Sequence, residues 1–198
     1  MSALKKRQEQ KQHTKQIILD AAIRVFTEHG IIATKTSDIA KAAQLAHGSV
    51  FAHFHTREEL VEQVIAEMGG KITAHMQALL QQGTSVEEIL HVHIDGLCEH
   101  EPFYTQLVRE GPLLPEIARR TLVVIQSAIA HYLHEAMRQE IKKGSMRSLP
   151  LDLVFNTWIG LVHHYLLNAD LFTVPGKGSV LKQRGNKLIR YYLDLINQ

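Results

Sequence analysis

With 198 residues, the chain is long enough for one large domain or for a small domain joined to a larger one. Its single cysteine, Cys98, excludes an internal disulfide framework, and neither a secretory signal nor an apolar run of about 18 residues is present. The expectation is a cytoplasmic protein with no membrane partner. Formal net charge is only +2, yet up to Arg57 nine Lys/Arg face four Asp/Glu, whereas the remainder carries thirteen against sixteen. A polyanion would therefore bind the N-terminal end.

Helical spacing dominates from the start. Lys5, Lys6, Arg7, Lys11 and Lys15 crowd a basic arm, and Ile18, Ala21, Ala22, Val25 and Phe26 then recur at three- and four-residue steps until Gly30 stops the helix. A second helix is predicted to open at Thr36, whose hydroxyl can cap the amide of Ile39. After a bend at Gln44 to Ala46, a third runs from His47 to His53, with Val50 and Phe54 inward and His47, Ser49, Ala52 and His53 outside. Two short helices joined by so tight a turn form a helix-turn-helix.

Thr56 and Glu59 have the spacing of a capping box for a fourth helix, which runs through Leu60, Val64 and Met68 towards Leu79 and Leu80. It contains Gly69-Gly70, each costing about 1 kcal/mol relative to alanine, so the pair is either a hinge or a site of close packing. Ser85 and Glu88 open a fifth helix, and a short sixth surrounds Phe103 to Arg109. The seventh spans about Pro115 to Lys143, with Ile117, Val124, Ala128, Tyr132 and Met137 in register. Residues 151–169 are apolar nearly all round, which implies burial on more than one side and a partner for one of them. A last helix covers 179–196, and Gly160 and Gly185 would let backbones approach closely.

Residues 14 to 60 resemble the N-terminal DNA-binding domain of the TetR family of bacterial transcriptional regulators. The matching residues are Ile18, Ala21, Ala22, Phe26, Gly30, Thr34, Thr36, Ile39-Ala40, Gly48, Phe51, His53, Phe54 and Arg57-Glu58-x-Leu60. The resemblance implies an all-α protein of about nine helices. Residues 1–68 would be a basic arm and three-helix DNA-binding domain, and a long helix would join it to an effector-binding and dimerisation domain at 69–198. It also implies no enzymatic activity and no cofactor or metal. The partners would be a double-stranded operator, a second copy of the chain, and an apolar or aromatic small-molecule effector whose binding releases a repressor from DNA.

On this reading the third helix enters the major groove, the one groove that admits a helix and distinguishes every base pair. The implied DNA-facing residues are Thr36, Ser37, His47, Gly48, Ser49, Phe51, His53 and Arg57. His47, Ser49 and Phe51 would read bases; Thr36, His53 and Arg57 would grip phosphates; Lys5, Lys6 and Arg7 would add backbone contacts or reach a minor groove. The sequence departs from the family at three points. Gln44 stands where Gly is common and would hold a left-handed conformation at a cost of roughly 1 to 2 kcal/mol. Ala46 replaces a Ser N-cap, a loss of about 1 kcal/mol, and Phe51 lacks the hydroxyl of the usual Tyr.

Polar residues set within apolar helices are His93, Tyr104, Arg109, Gln126, His131, Asn156, Trp158 and His163, and of these His93, Tyr104, Gln126 and His163 are the candidate effector site. Trp158, Leu166, Leu188 and Tyr192 are the expected dimer interface. Two alternatives remain from sequence: a DNA-binding dimer with no effector, and a histidine-based metal protein, for which His131 and His134 have usable spacing. No GxSxG, Walker loop, dinucleotide fingerprint or CxxC supports catalysis.

Overall fold

The structure, a computed structural model, describes residues 3–80 and 84–197, without the side chains of 3, 4, 75, 76 and 78–80. Leu79 and Leu80 thus lie outside the described side chains. Among the described residues the fold is all-α, with ten helices: α1 (Ala3–His29), α2 (Thr36–Ala42), α3 (His47–His53), α4 (Arg57–Leu80), α5 (Val86–Glu99), α6 (Glu101–Glu110), α7 (Glu116–Lys143), α8 (Leu151–Leu167), α9 (Ala169–Phe172) and α10 (Val180–Asn197). A 3-10 turn, Gly111–Leu113, follows α6.

The first three helices close around Ile18, Ala22, Phe26, Ile39, Val50 and Phe54, all buried, and Leu60 of α4 completes their core. Each turn in this unit has a local cause. Gly30 ends α1 at φ +85°, and the Thr34 hydroxyl donates back to its carbonyl at 2.6 Å. Gln44 holds the left-handed conformation expected of it, φ 57°, and Ala46 precedes α3 with no side-chain cap. The α2 cap differs from expectation. Lys35 occupies the N-cap position, Asp38 accepts its amide at 3.0 Å, and Thr36 lies inside the first turn. At α4, Thr56 accepts the Glu59 amide at 3.0 Å, but the Glu59 carboxylate takes the amide of His55, one residue before the expected partner.

Helix α4 runs unbroken through Gly69-Gly70 and packs along α7. The two glycines differ. Gly69 is buried beneath Ile125, whose Cδ1 a Cβ would overlap, whereas Gly70 is exposed with nothing within 4 Å of where a Cβ would be. Close packing explains Gly69. Gly185 likewise brings α10 onto α5, where a Cβ would stand 2.6 Å from Ile94 Cγ2; Gly160 faces open space. Ser85 and Glu88 form the capping box of α5, and Gly144 closes α7 at φ +75°.

Two periodicity readings need correction. Ile117 and Val124 of α7 are exposed; the helix buries Met137 as expected, together with Ala118, Ile129, Leu133 and Ala136. Trp158, Leu166, Leu188 and Tyr192, expected between copies, fill the core of the protomer; Trp158 is 1% exposed. A helix apolar on all sides must bury one face in its own chain; Trp158 and Leu166 occupy that face of α8, and Tyr192 of α10 packs against Trp158. The large apolar residues left outside on α8, α9 and α10 are Leu153, Leu167, Leu171, Tyr191 and Leu195.

Candidate nucleic-acid interface and buried polar cluster

Helix α3 presents a short face to solvent because Val50 and, just beyond it, Phe54 anchor its other side. His47, Gly48, Phe51 and Ala52 are exposed, and Ser49 and His53 are half-buried. Phe51 is 40% exposed, while Phe26 and Phe54 in the same domain are buried. The Thr36 hydroxyl and His47 Nε2 lie 3.1 Å apart, and the His47 ring meets Phe51 edge-on with centroids 5.0 Å apart. Nδ1 of His47 is therefore the ring nitrogen left for an outside partner, and Thr36 orients a neighbour as well as facing outward beside exposed Ser37.

Cations flank this face. Burial, then Lys11 and Lys15, hold His53 below the usual histidine pKa, so α1 and α3 meet in a positive field. Lys15 stands 5.6 Å over the Phe54 ring and donates to Gln63 at 3.1 Å. Lys5, Lys6 and Arg7 are exposed, but they belong to the opening turns of α1, not to an extended arm. Carried on a helix, they offer side chains to phosphates or into a groove, but no extended backbone arm. Arg57 is turned inward. Its guanidinium donates to the carbonyls of Ile31, Ile32 (3.3 Å) and Thr34 (3.1 Å), which the α1–α2 turn leaves without helical partners. It shapes the turn and is not a free phosphate grip.

The four residues marked as a candidate effector site do come together. Tyr104 of α6 and His163 of α8 join through hydroxyl and Nε2 at 2.9 Å, and Gln126 of α7 reaches the same hydroxyl. His93 of α5 is near enough to His163 for a charge on one to disfavour a charge on the other. Its Nδ1 accepts from Trp158 Nε1 at 3.1 Å. Burial, and secondarily His163, push His93 down to about 4, and burial alone does the same to His163. Burial pushes Tyr104 up to about 12. Every member is neutral at pH 7. In a neutral imidazole whose Nδ1 accepts, Nε2 carries the proton, and His93 Nε2 is buried with no partner among the described residues. Trp158, also among the polar groups noted within the apolar helices, joins this cluster through that bond.

The space beside the cluster is small. An apolar void of about 20 Å³ lies under the Tyr104 ring, against Met68, Gly69, Phe103, Leu122 and Ile125. A larger groove of about 430 Å³ lies elsewhere, between α8, α9 and α10, walled by Leu161, Tyr165, Phe172, Arg184, Leu188 and Tyr191. It adjoins the exposed apolar residues of α8 to α10 and shares no residue with the polar cluster. Of the metal candidates, His134 Nε2 is 2.8 Å from the Leu151 carbonyl. Burial, then Glu101 and Asp95, push the Cys98 thiol up to about 11, so it is no thiolate at neutral pH.

Residues 18–64 match the family model of bacterial regulatory proteins, tetR family. The HTH-type transcriptional regulator SrpR of Pseudomonas putida is 25% identical over 154 residues, covering 76% of this chain and 70% of its own length. The HTH-type transcriptional repressor KstR2 of Mycolicibacterium smegmatis is 26% identical over 155 residues, 73% of this chain and 76% of its own. The solved regulator FadR of Bacillus subtilis superposes with a TM-score of 0.73 over 89% of this chain and 96% of that one; at 18% identity the likeness concerns the fold.

Proposed function

From the premise that this chain belongs to the tetR family of bacterial regulatory proteins, we propose that it is a homodimeric repressor that reads a pseudo-palindromic operator and is released by a small molecule. The observation that carries the reading is the α3 face. His47, Gly48, Ser49 and Phe51 lie on the outer side of a three-helix core, with Thr36, Ser37 and His53 beside them, Lys11 and Lys15 near His53, and Lys5, Lys6 and Arg7 exposed earlier on α1. His47 and Ser49 supply hydrogen bonds to base edges, Phe51 an apolar surface for a thymine methyl, and the lysines phosphate contacts.

Residues 1–68 form the DNA-binding domain and 69–198 the effector and dimerisation domain, the boundary falling where α4 meets α7 at Gly69. Dimerisation uses the outer faces of α8 and α10. Leu153, Leu167, Tyr191 and Leu195 are exposed there, Gly160 offers an open approach, and the neighbouring groove has room for a partner's side chains. Such a dimer sets the two α3 helices about 34 to 36 Å apart, or a multiple of that, to meet successive major-groove faces. The effector binds at Tyr104, Gln126, His163 and His93 and favours a different spacing. A regulator of this fold, the FadR of Bacillus subtilis, is solved in complex with stearoyl-CoA.

A void of about 20 Å³ is far below the roughly 300 to 1,000 Å³ of ordinary ligand sites, which favours a second reading: a DNA-binding dimer with no effector. One experiment addresses both. Duplexes enriched from a random pool by the full chain are titrated at several salt concentrations, then in the presence of apolar and aromatic compounds. Enrichment of an inverted repeat supports DNA reading; affinity unmoved by every compound leaves the effector-free regulator.

A further inference from the structure

Helix α6 is held at both ends in the same manner, by a glutamate carboxylate seated on two consecutive backbone amides of another element. At its start, Glu101 is 6% exposed; Oε1 accepts from Val180 N at 2.9 Å and Oε2 from Leu181 N at 3.0 Å, the opening amides of α10. At its end, Oε2 of Glu110 accepts from Ile31 N at 2.7 Å and Ile32 N at 2.8 Å, in the turn between α1 and α2. Both attachments join residues about eighty positions apart. Hydrogen bonds to an ionised acceptor are roughly twice as strong as neutral ones, so these are firm points of attachment.

The chain is shaped around the second attachment. Gly30 lies against the Glu110 carboxylate, and a Cβ there would overlap Oε1. Opposite Glu110, Arg57 takes the carbonyls of Ile31, Ile32 and Thr34. One short turn is thus gripped through its amides by the C-terminal domain and through its carbonyls by its own domain. Gln106, on the same helix, donates to the Thr27 carbonyl at 3.4 Å, a second link from α6 to α1. Between the two glutamates sits Tyr104, bonded to His163.

We infer that α6 is a strut between α10 and the α1–α2 turn, and that Glu110 is the positioning residue fixing the angle of the DNA-binding domain relative to the dimerisation helices. Nine residues at about 1.5 Å each set its ends roughly 13.5 Å apart, a length that side-chain motion does not alter. Displacing Tyr104 tilts the strut, and the turn that leads into α2 and α3 moves with it. This rests on the DNA-reading function proposed above and adds the element that sets half-site spacing in this chain.

The test measures spacing discrimination, which a contribution to folding alone does not change. The wild-type full chain enriches a duplex from a random pool; its affinity is compared with that for the same half-sites moved apart by one base pair. In Glu110→Ala the preference for the original spacing falls about tenfold, within the range of couplings between sites. Glu110→Gln, which keeps an oxygen for both amides, recovers part of it; Glu110→Asp, one methylene too short, does not. Circular dichroism confirms folding, and if Glu110→Ala fails to fold, the Gln and Asp variants carry the comparison. Unchanged discrimination in folded Glu110→Ala, or in both other variants, overturns the strut. If the wild type enriches no duplex, the DNA-reading function has failed, and the strut is judged by amide exchange at Ile31 and Ile32. Faster exchange there in Glu110→Ala supports the attachment, and unchanged exchange rejects it.

Discussion

Two pairs of histidines, one in each part of the molecule, sit in opposite surroundings. In the N-terminal domain His47 is exposed and His53 half-buried, the latter in the field of Lys11 and Lys15. In the C-terminal part His93 is buried and His163 partly so, and both are neutral down to about pH 4 and bonded to aromatic partners. The difference teaches where each region keeps its chemistry. The N-terminal core buries only apolar side chains and Thr34 among the described residues, whereas the second part encloses His93 and Glu101.

The sharpest way to break this contrast is to separate core from outer face. Trp158→Ala removes a buried aromatic and leaves both His93 nitrogens unpartnered, so a loss of about 3–5 kcal/mol is expected in urea unfolding. Leu167→Asp with Leu195→Asp, on exposed positions of α8 and α10, should instead give folded protein that sediments as a monomer. A dimeric double variant moves the interface elsewhere.

The buried histidines also dictate an acid response. Their folded pKa values lie near 4 against 6.5 unfolded, so the unfolded chain takes up protons first. Stability is full above pH 6.5 and declines as pH falls towards 4, on the order of 1.4 kcal/mol per pH unit for each histidine. His163→Gln should flatten the decline of unfolding free energy between pH 6.5 and 4.5. An equal slope in both proteins would mean that His163 is hydrated.

At the other surface, His47→Ala should leave stability unchanged and cost about 1–3 kcal/mol in discrimination at one or two base pairs, read by titrating single-base variants of the selected duplex. Uniform weakening across all sequences would reassign His47 to phosphate. The smallest effects separate Gly69 from Gly70. Gly70→Ala, on open helix, should gain up to about 1 kcal/mol, whereas Gly69→Ala should lose about 1–3 kcal/mol by overpacking Ile125. Equal effects would revive a hinge shared by both glycines.

Local chemistry was legible in the sequence, and direction was not. The limits of α3, the left-handed Gln44, the Ser85 capping box and the Gly144 stop each depend on neighbours within a few residues, and all appear as expected. The apolar surplus of α8 was visible too. Which of its faces looks inward was not, so Trp158 and Tyr192 were placed between copies when they fill one core. Arg57 has the spacing of a phosphate contact, but its partners are carbonyls more than twenty residues away. Helix α2 begins one residue earlier than the Thr36 cap requires, so Thr36 lies inside the first turn and its hydroxyl meets His47. The four candidate effector residues fall in one polar cluster, as polar groups inside apolar helices need partners. Glu110, on a partly exposed helix end, gives no such signal.

The central claim is that α3 of a dimer reads duplex DNA. Selection of a random duplex pool by the full chain, followed by sequencing, tests it most directly. The expected result is an inverted repeat with half-site centres about one helical turn, or a multiple of it, apart, enriched by the wild type and lost with His47→Ala and Ser49→Ala together. A pool that emerges without a repeat, or a repeat selected equally well by the double variant, would contradict it.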